Sequence, residues 1–354
     1  MARTWALIVA LAVCRPAAAG TPDNQSSVVF FDSAGGGAAF DFWGLFKRFR
    51  KSETPLPAAA PPGPVFRIVS WNLQTFGAHM KAARKEAAAA ALAQIFSDPS
   101  AKVLAAQEIA NERGAAAVQS MLDAGDSRWA KSFDDSEDGQ DNGFFVKEGV
   151  HINCGRPLFG DRSLSRHPAR FSHMRVGDFD FTLITVHLAY DKGQASSSAA
   201  ELRQILDWLR EHLAKPGADP DVIVLGDFNL PTRRGKAGSA RGESGSWTAI
   251  EEVIEEYPLF RGGNLVALVD EPTSRFLGEA ANNYDHLIVT GHLFHGAYVA
   301  DSARRMPTEL FKAIEAAHNV QVSDHYPISA EFRSSGPGAD GRPIRPDGAG
   351  ACAR

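Results

Sequence analysis

"DVIVLGDFNLP" spans Asp221–Pro231, and its reading decides the fold class. Four apolar residues, Val222–Leu225, run directly into Gly226, Asp227, Phe228 and Asn229. A short apolar run closed by turn residues reads as a buried strand. This one delivers an acid and an amide to its own C-terminal edge. Alone, an Asp after a Gly is an ordinary turn former. Whether it is instead one corner of a ligand site depends on how the other strands end.

Six further runs read as strands: "FRIVSWN" (66–72), "KVLAAQE" (102–108), "GFFVK" (143–147), "FTLITVHL" (181–188), "YDHLIVTG" (284–291) and "HYPISAEF" (325–332). The spacing predicts helices over 81–96, 112–123, 199–214 and 247–256. The third of these carries Leu202, Ile205, Leu206, Leu209 and Leu213 at core-facing intervals. Strands alternating with helices define an α/β class. Some links are too short for helical crossovers, so mixed sheets are expected rather than all-parallel ones.

The strand ends match one another. "RIVSWN" ends in Asn72, "KVLAAQE" in Glu108 and "FTLITVH" in His187, while Asp285 opens one strand and Asp324-His325 another. If strand direction alternates, these ends meet along one rim, where α/β folds commonly place ligands. Each residue alone has a bland reading as a turn former, a helix start or a satisfied structural histidine. Six such coincidences at strand termini, rich in oxygen donors and adding two imidazoles, point to a site.

The chain has 354 residues, 44% hydrophobic and 22% charged, enough for one large core over 64–333. A net charge of -5 gives no basic footprint for nucleic acid, although bound cations can supply positive charge locally. Residues 1–19 read as a signal peptide, with Arg3, an apolar run Trp5–Val13 and small residues Ala17–Ala19. That predicts a secreted or periplasmic protein with no transmembrane segment; Leu11–Cys14 offers a lipoprotein alternative. Residues 20–63 read as a low-complexity linker with a basic-aromatic patch at Phe42–Lys51, and 334–354 as a disordered tail. Cys14 would leave with the signal, and Cys154 and Cys352 could pair in an oxidising compartment. No Cys/His cluster suggests structural zinc.

The ordered set "WNLQTFG", "AAQEI", "SRHPARFS", "TVHLA", "GDFN", "NYDHLIVTG" and "SDHYPI" resembles the endonuclease/exonuclease/phosphatase superfamily, and within it the deoxyribonuclease I-like enzymes. The resemblance implies a four-layer α/β/β/α sandwich with two mixed, mostly antiparallel sheets. It implies a metal-dependent phosphodiesterase, most simply an endonuclease acting on DNA as a monomer with no stable protein partner. Oxygen ligands suit Mg2+ or Mn2+, with a structural Ca2+ also compatible. Glu108, Asp324, Asp227 and Asn72 would hold the metal. His325, oriented by Asp285, would act in base catalysis and His187 as the acid, with Asp141 the expected acidic partner of His187. Asn72 and Asn229 would orient phosphate oxygens and metal water, and Arg166, Asn229 and Tyr284 would contact substrate.

The chain departs from the deoxyribonuclease I-like pattern at groove-contacting positions. Gln74 and Ala110 stand where arginines are expected, and Gly139 or a neighbour where a tyrosine is. Thr232–Ser246 follows GDFN with four cations against one acid, suited either to tracking a nucleic-acid backbone or to a solvated insertion. A phosphoesterase of the same fold acting on lipid or sugar phosphates is the alternative reading. A non-catalytic binding module is a third, disfavoured because every acid and histidine of the set is retained.

Overall fold

The computed structural model describes residues 63–335, apart from 78, 136–138, 154, 161–163, 165, 191–195, 235–247, 258–264, 277–278, 292 and 294–295. The expected signal peptide, Cys14, Cys154 and Cys352, nearly all of the linker and tail, and most of the loop after GDFN lie outside the described residues.

The strands are β1 (Val65–Phe76), β2 (Ala101–Ile109), β3 (Trp129–Ser132), β4 (Asp141–Lys147), β5 (Val150–Ile152), β6 (Arg156–Pro157), β7 (Arg170–Val176), β8 (Phe179–His187), β9 (Val222–Asp227), β10 (Leu265–Ala267), β11 (Arg275–Phe276), β12 (Glu279–Ala280), β13 (Asp285–Thr290), β14 (Arg304–Arg305) and β15 (Ile328–Arg333). The helices are α1 (Ala82–Phe96), α2 (Glu112–Asp123), α3 (Ser196–Leu213), α4 (Ile250–Ile254) and α5 (Thr308–His318). One sheet runs β14-β15-β1-β2-β4-β3 and the other β10-β13-β9-β8-β7-β5, with β6 added on β7. Only β1–β2 and β8–β9 pair in parallel within these two sheets, so both are mixed and mostly antiparallel, as expected. No helix among the described residues is long and apolar enough to cross a membrane.

Period-2 alternation makes the four layers. Phe66 and Ile68 of β1, Val103 and Ala105 of β2, Phe181 and Leu183 of β8, Ile223 and Leu225 of β9 and Leu287 and Val289 of β13 fill the space between the sheets. The intervening Val69, Trp71, Leu104 and Ala106 pack outward against α1, α2 and α5. On the other outer face Ile184, Val186, Val222 and Val224 meet α3 and α4. Trp71 and Phe311 of α5 pack edge to face, with ring centroids 5.5 Å apart.

The expected helices are present, with α3 beginning earlier at Ser196 and α4 shorter than 247–256. Several elements were not expected, among them β7, α5 and β3. In β7 the inward positions include the buried Arg170 and Ser172, which erase the apolar alternation. In α5 only Phe311 is fully buried, with Leu310 and Ile314 half-buried against the same cluster. β3 is a four-residue edge strand whose buried Trp129 packs on Phe96 of α1.

Candidate active site

The alternation that fills the core also builds the site. Continuing the inward-facing rows toward one end of the sandwich gives Ser70 then Asn72 on β1, Gln107 on β2, Thr185 then His187 on β8, and Asp227 on β9. Asp285 enters the same row because β13 runs antiparallel to β9, pairing Asp285 with Asp227, while His187 pairs with Asp227 across the parallel β8–β9 register. Apolar rows thus give way to polar ones where the inter-sheet space opens.

Beneath the opening, Gln107 Nε2 donates to Ser70 Oγ at 3.0 Å and to Thr185 Oγ1 of the opposite sheet at 2.9 Å. Asn72 Nδ2 donates to Glu108 Oε1 at 2.9 Å and to Asp227 Oδ2 at 3.0 Å. Asp227 Oδ1 accepts from the Asn229 amide at 3.0 Å, and Asn229 Nδ2 donates to the Leu188 carbonyl at 2.8 Å. Trp71 Nε1 donates to the His325 carbonyl at 3.0 Å, and Ser323 Oγ to the Asn72 carbonyl at 2.7 Å, which docks the Asp324-His325 segment on β1.

Two residues reach the site through unusual backbone. Strict alternation would turn Glu108 away from Gln107's face. Its φ of 58° and the register shifts flanking it in β1–β2 and β2–β4 re-aim the carboxylate. Thr75, at φ 53°, donates its hydroxyl to Glu108 Oε2 at 3.0 Å, and Gln140 Nε2 donates to the same oxygen at 3.3 Å. Asn229 sits at φ 49°, a conformation asparagine tolerates. Gly226 has no such latitude to lose, since at φ 139° an added Cβ would lie 2.1 Å from the Val186 carbonyl oxygen.

The imidazoles converge. His325 Nδ1 and Asp285 Oδ2 are 2.7 Å apart, and His325 Nε2 lies 3.6 Å from Asp227 Oδ2. His187 Nε2 lies 3.8 Å from the same oxygen and 3.7 Å from Glu108 Oε1. Burial opposes charge on His325, but Asp285, Asp227 and Asp324 outweigh it and raise its pKa to about 10. Burial lowers the His187 pKa against the pull of Asp227 and Glu108. Asp227 is pushed up by burial, to about 6, with His325 opposing and Asp285 adding to the rise. Glu108 is raised by burial, but His187 and the Asn72 hydrogen bond dominate and hold it below the usual carboxylate range.

The donor set fits a hard divalent cation. Asp324 Oδ1 is buried with no hydrogen-bond partner, and its carboxyl is raised by burial and, against His325, by the nearby charge of Glu108. An orphaned carboxylate oxygen and two mutually repelling acids describe a place that lacks positive charge. Asp227, Asp285 and His325 also offer ligand atoms within 4.8 Å of one another. That trio is better accounted for as an acid–imidazole pair, because Asp285 Oδ2 already engages His325, and Glu108, Asp324 and Asp227 offer carboxylate oxygens to the same cavity.

A cavity of about 770 Å³ opens on this set, lined by Glu108, His187, Asp227, Asn229, Asp324 and His325 together with Arg166 and Tyr284. Every expected site residue except Asn72 and the strand-buried Asp141 and Asp285 therefore reaches its wall, and Asn72 and Asp285 support it from behind. Asp141 is not brought to His187: it lines a smaller neighbouring cavity with Asp134, Asp135, His167 and Arg170, and His187 Nδ1 is buried without a hydrogen-bond partner. His167 takes the place beside His187, its ring stacked at 5.0 Å and 14°. It stands next to Arg166 in "SRHP", a motif read for its arginine alone. Arg84 was also unexpected. From the Ala-rich α1 it donates to the carbonyls of Leu73, Gln74 and Val322 at 2.8, 2.7 and 2.8 Å, tying β1 to the Asp324 segment.

Comparison with known proteins agrees with this arrangement. The Endonuclease/Exonuclease/phosphatase family matches residues 69–325, most of the chain, and the chain belongs to that family. It is 24% identical to Deoxyribonuclease-1 of Sus scrofa over 176 residues, 49% of this chain and 55% of that protein. Against Deoxyribonuclease-1 of Homo sapiens it is 24% identical over 181 residues, 51% of this chain and 56% of that one. The chain thus spans little more than half the length of the curated relatives it matches. Among solved structures, D. rerio TDP2 complexed with single strand DNA product superposes with a TM-score of 0.51 at 15% identity, covering 76% of this chain and 99% of that chain. At that identity the likeness is one of fold.

Proposed function

From membership of the endonuclease/exonuclease/phosphatase family we infer that the chain is a metal-dependent phosphodiesterase, a DNA endonuclease acting outside the cytoplasm. The observation that carries this reading is the convergence of His187 Nε2 and His325 Nε2 on one carboxylate oxygen of Asp227, at 3.8 and 3.6 Å, beside Glu108. A phosphodiester placed there meets a proton acceptor and a proton donor on two sides. Similarity to Deoxyribonuclease-1 and the TDP2 structure with a single strand DNA product support DNA as the substrate. The N-terminal sequence, with its short apolar run and small residues, supports export.

Roles follow from the partners. Asp285 fixes the His325 ring through Nδ1, leaving Nε2 to take the proton of the attacking water. His187, its Nε2 3.7 Å from Glu108 and 3.8 Å from Asp227, is the proton donor to the departing alkoxide in this reading. An anionic phosphate beside it would oppose the burial that lowers its pKa. Asn229 and Asn72, each held by hydrogen bonds, orient phosphate oxygens. Glu108, Asp324 and Asp227 would hold a divalent cation such as Mg2+ or Mn2+, which would neutralise phosphate charge and polarise the phosphorus–oxygen bonds. Positive charge there also offsets the carboxylates that keep His325 protonated.

Gln74 and Ala110, standing where deoxyribonuclease I-like enzymes carry arginines, favour one second reading, a phosphoesterase of this fold acting on lipid or sugar phosphates. Supercoiled plasmid with Mg2+, Mn2+ or Ca2+, an EDTA control and His187→Ala separate the two. Metal-dependent nicking lost in His187→Ala supports the nuclease. Intact plasmid, with phosphocholine or inorganic phosphate released from a smaller ester, supports the second reading.

A further inference from the structure

We propose that Tyr190, Tyr284 and Leu164 form a subsite for an unpaired nucleobase beside the reacting phosphate, which makes single-stranded DNA the preferred substrate. The proposal rests on the phosphodiesterase reading above. Its starting point is an oddity of exposure. The large hydrophobic side chains exposed among the described residues are Val65, Leu164 and Tyr190, and the last two, 62% and 53% exposed, both line the main cavity. Scattered exposed apolar residues need no explanation. Two at the mouth of one ligand-sized cavity, with the Tyr284 ring 6.4 Å from that of Tyr190, do.

Tyr190 is placed there by fixed backbone. It follows His187 by three residues, and the Leu188 amide donates to the Asp227 carbonyl at 2.9 Å. The next residue, Ala189, is held on both sides: its amide donates to Glu201 Oε2 at 2.9 Å, and its carbonyl accepts from Ser198 Oγ at 2.7 Å. Tyr284 is equally anchored, with its carbonyl accepting from the Phe228 amide at 2.8 Å and its amide donating to Thr273 Oγ1 at 3.0 Å. Leu164 is tied to α3 through Gln204 Oε1 at 3.2 Å.

The chemistry selects the ligand. A phenol ring presents a flat π face that stacks on any base. The remaining wall carries Ser197, Glu201, Ser274 and Asn282, which suit the hydrogen-bonding edges of a base and not an acyl chain. Arg166, exposed at the same mouth, is shaped to meet a neighbouring phosphate. A base inside a duplex has both faces covered, so using this subsite would require unstacking it, at a cost that a single strand avoids. Gln74 and Ala110, standing where deoxyribonuclease I-like enzymes carry arginines, remove two cations from the duplex-gripping positions.

The test is fluorescence anisotropy with Mg2+, using cleavage-resistant phosphorothioate probes: a single strand, the matching duplex, and an abasic strand of equal length. The single strand is expected to bind more tightly than either other probe. Tyr190→Ala should shrink the preference for base-bearing over abasic strand by about fivefold or more, from a stacking energy of about 1 kcal/mol at the lower end. Tyr190→Phe should retain the preference, and Leu164→Ser should weaken it in the same direction. Equal binding of base-bearing and abasic strands, an unchanged ratio in Tyr190→Ala, or tighter binding of the duplex would each overturn the subsite. Failure of the phosphodiesterase reading shows separately, as absence of cleavage of both plasmid and an unmodified single strand with every cation, because anisotropy does not depend on turnover.

Discussion

Asn72 on one sheet donates to Asp227 on the other at 3.0 Å, although 155 residues separate them in sequence. The same amide nitrogen holds Glu108 at 2.9 Å, so a single neutral side chain spaces the proposed metal ligand from the carboxylate between the two histidines. Asn72→Ala removes hydrogen bonds to two charged groups, each worth about 1.5–3 kcal/mol. Plasmid nicking should fall at least tenfold, and full activity in this variant would remove Asn72 from the site.

Asp285 and His325 are expected to act as a unit. Asp285→Asn keeps the shape but loses the charge that steadies the ring, and His325→Ala removes the ring itself. Each should lower kcat by about 10²–10⁴, and the double variant should be little worse than His325→Ala alone. Additive losses in a double-mutant cycle would show that the 2.7 Å contact is incidental.

Divalent cations should stabilise the folded protein through Glu108 and Asp324. At about a hundred times the dissociation constant the gain is about 2.7 kcal/mol, read as a rise in Tm that EDTA reverses. Glu108→Gln and Asp324→Asn should each abolish most of that rise. A shift of equal size in both variants would place the cation elsewhere.

Gly226→Ala tests the strand end that carries Asp227. The new methyl would meet the Val186 carbonyl oxygen at 2.1 Å, and φ of 139° is unsuited to a side chain. A loss of about 3 kcal/mol or more is expected, beyond the usual range for backbone strain alone. Chemical denaturation of the soluble fraction measures it, and a near-neutral result would mean that β8 and β9 can separate freely.

His286 sets an acid limit on stability. Its Nε2 lies 2.9 Å from the Leu230 carbonyl, its Nδ1 is buried without a partner, and burial lowers its pKa. The folded pKa is below the unfolded one, so the unfolded chain takes the proton first. The contribution is therefore complete above the unfolded value of about 6.5 and is lost as pH falls through the lowered folded value. Urea melts between about pH 7 and pH 5 should show a slope of up to about 1.4 kcal/mol per pH unit from this ring. His286→Gln, which keeps a donor, should flatten it; an unaltered slope would assign the acid sensitivity to other groups.

The fold and half the site were legible because they obey one period. In β8, β9 and β13 the inward row runs unbroken from apolar residues to His187, Asp227 and Asp285, so a strand pattern alone places those three side chains. Glu108 was legible as a residue but not as a direction, since its φ of 58° reverses the face that alternation assigns. His167 and Arg84 left no signal. One acts by stacking, which has no sequence spacing, and the other reaches backbone carbonyls from a helix whose alanines show no marked stripe. Asp141, which the resemblance offers as the acidic partner of His187, lines a neighbouring cavity with Arg170 instead.

The link from Gln107 to Ser70 and Thr185 has a consequence for how such a site is kept true. Greasy layers attract one another equally well after a small slide, so an apolar interior supplies cohesion without a fixed offset between the sheets. A polar trio with one 2.9 Å bond crossing that interior, from Gln107 to Thr185, works as a dowel, tolerating only one alignment. Glu108 and Asn72 ride on one sheet and His187, Asp227 and Asp285 on the other, so alignment of the halves is what makes them a single reaction centre. Swapping the dowel for leucine-sized packing could leave the protein as hard to unfold while blurring the spacing on which proton transfer depends.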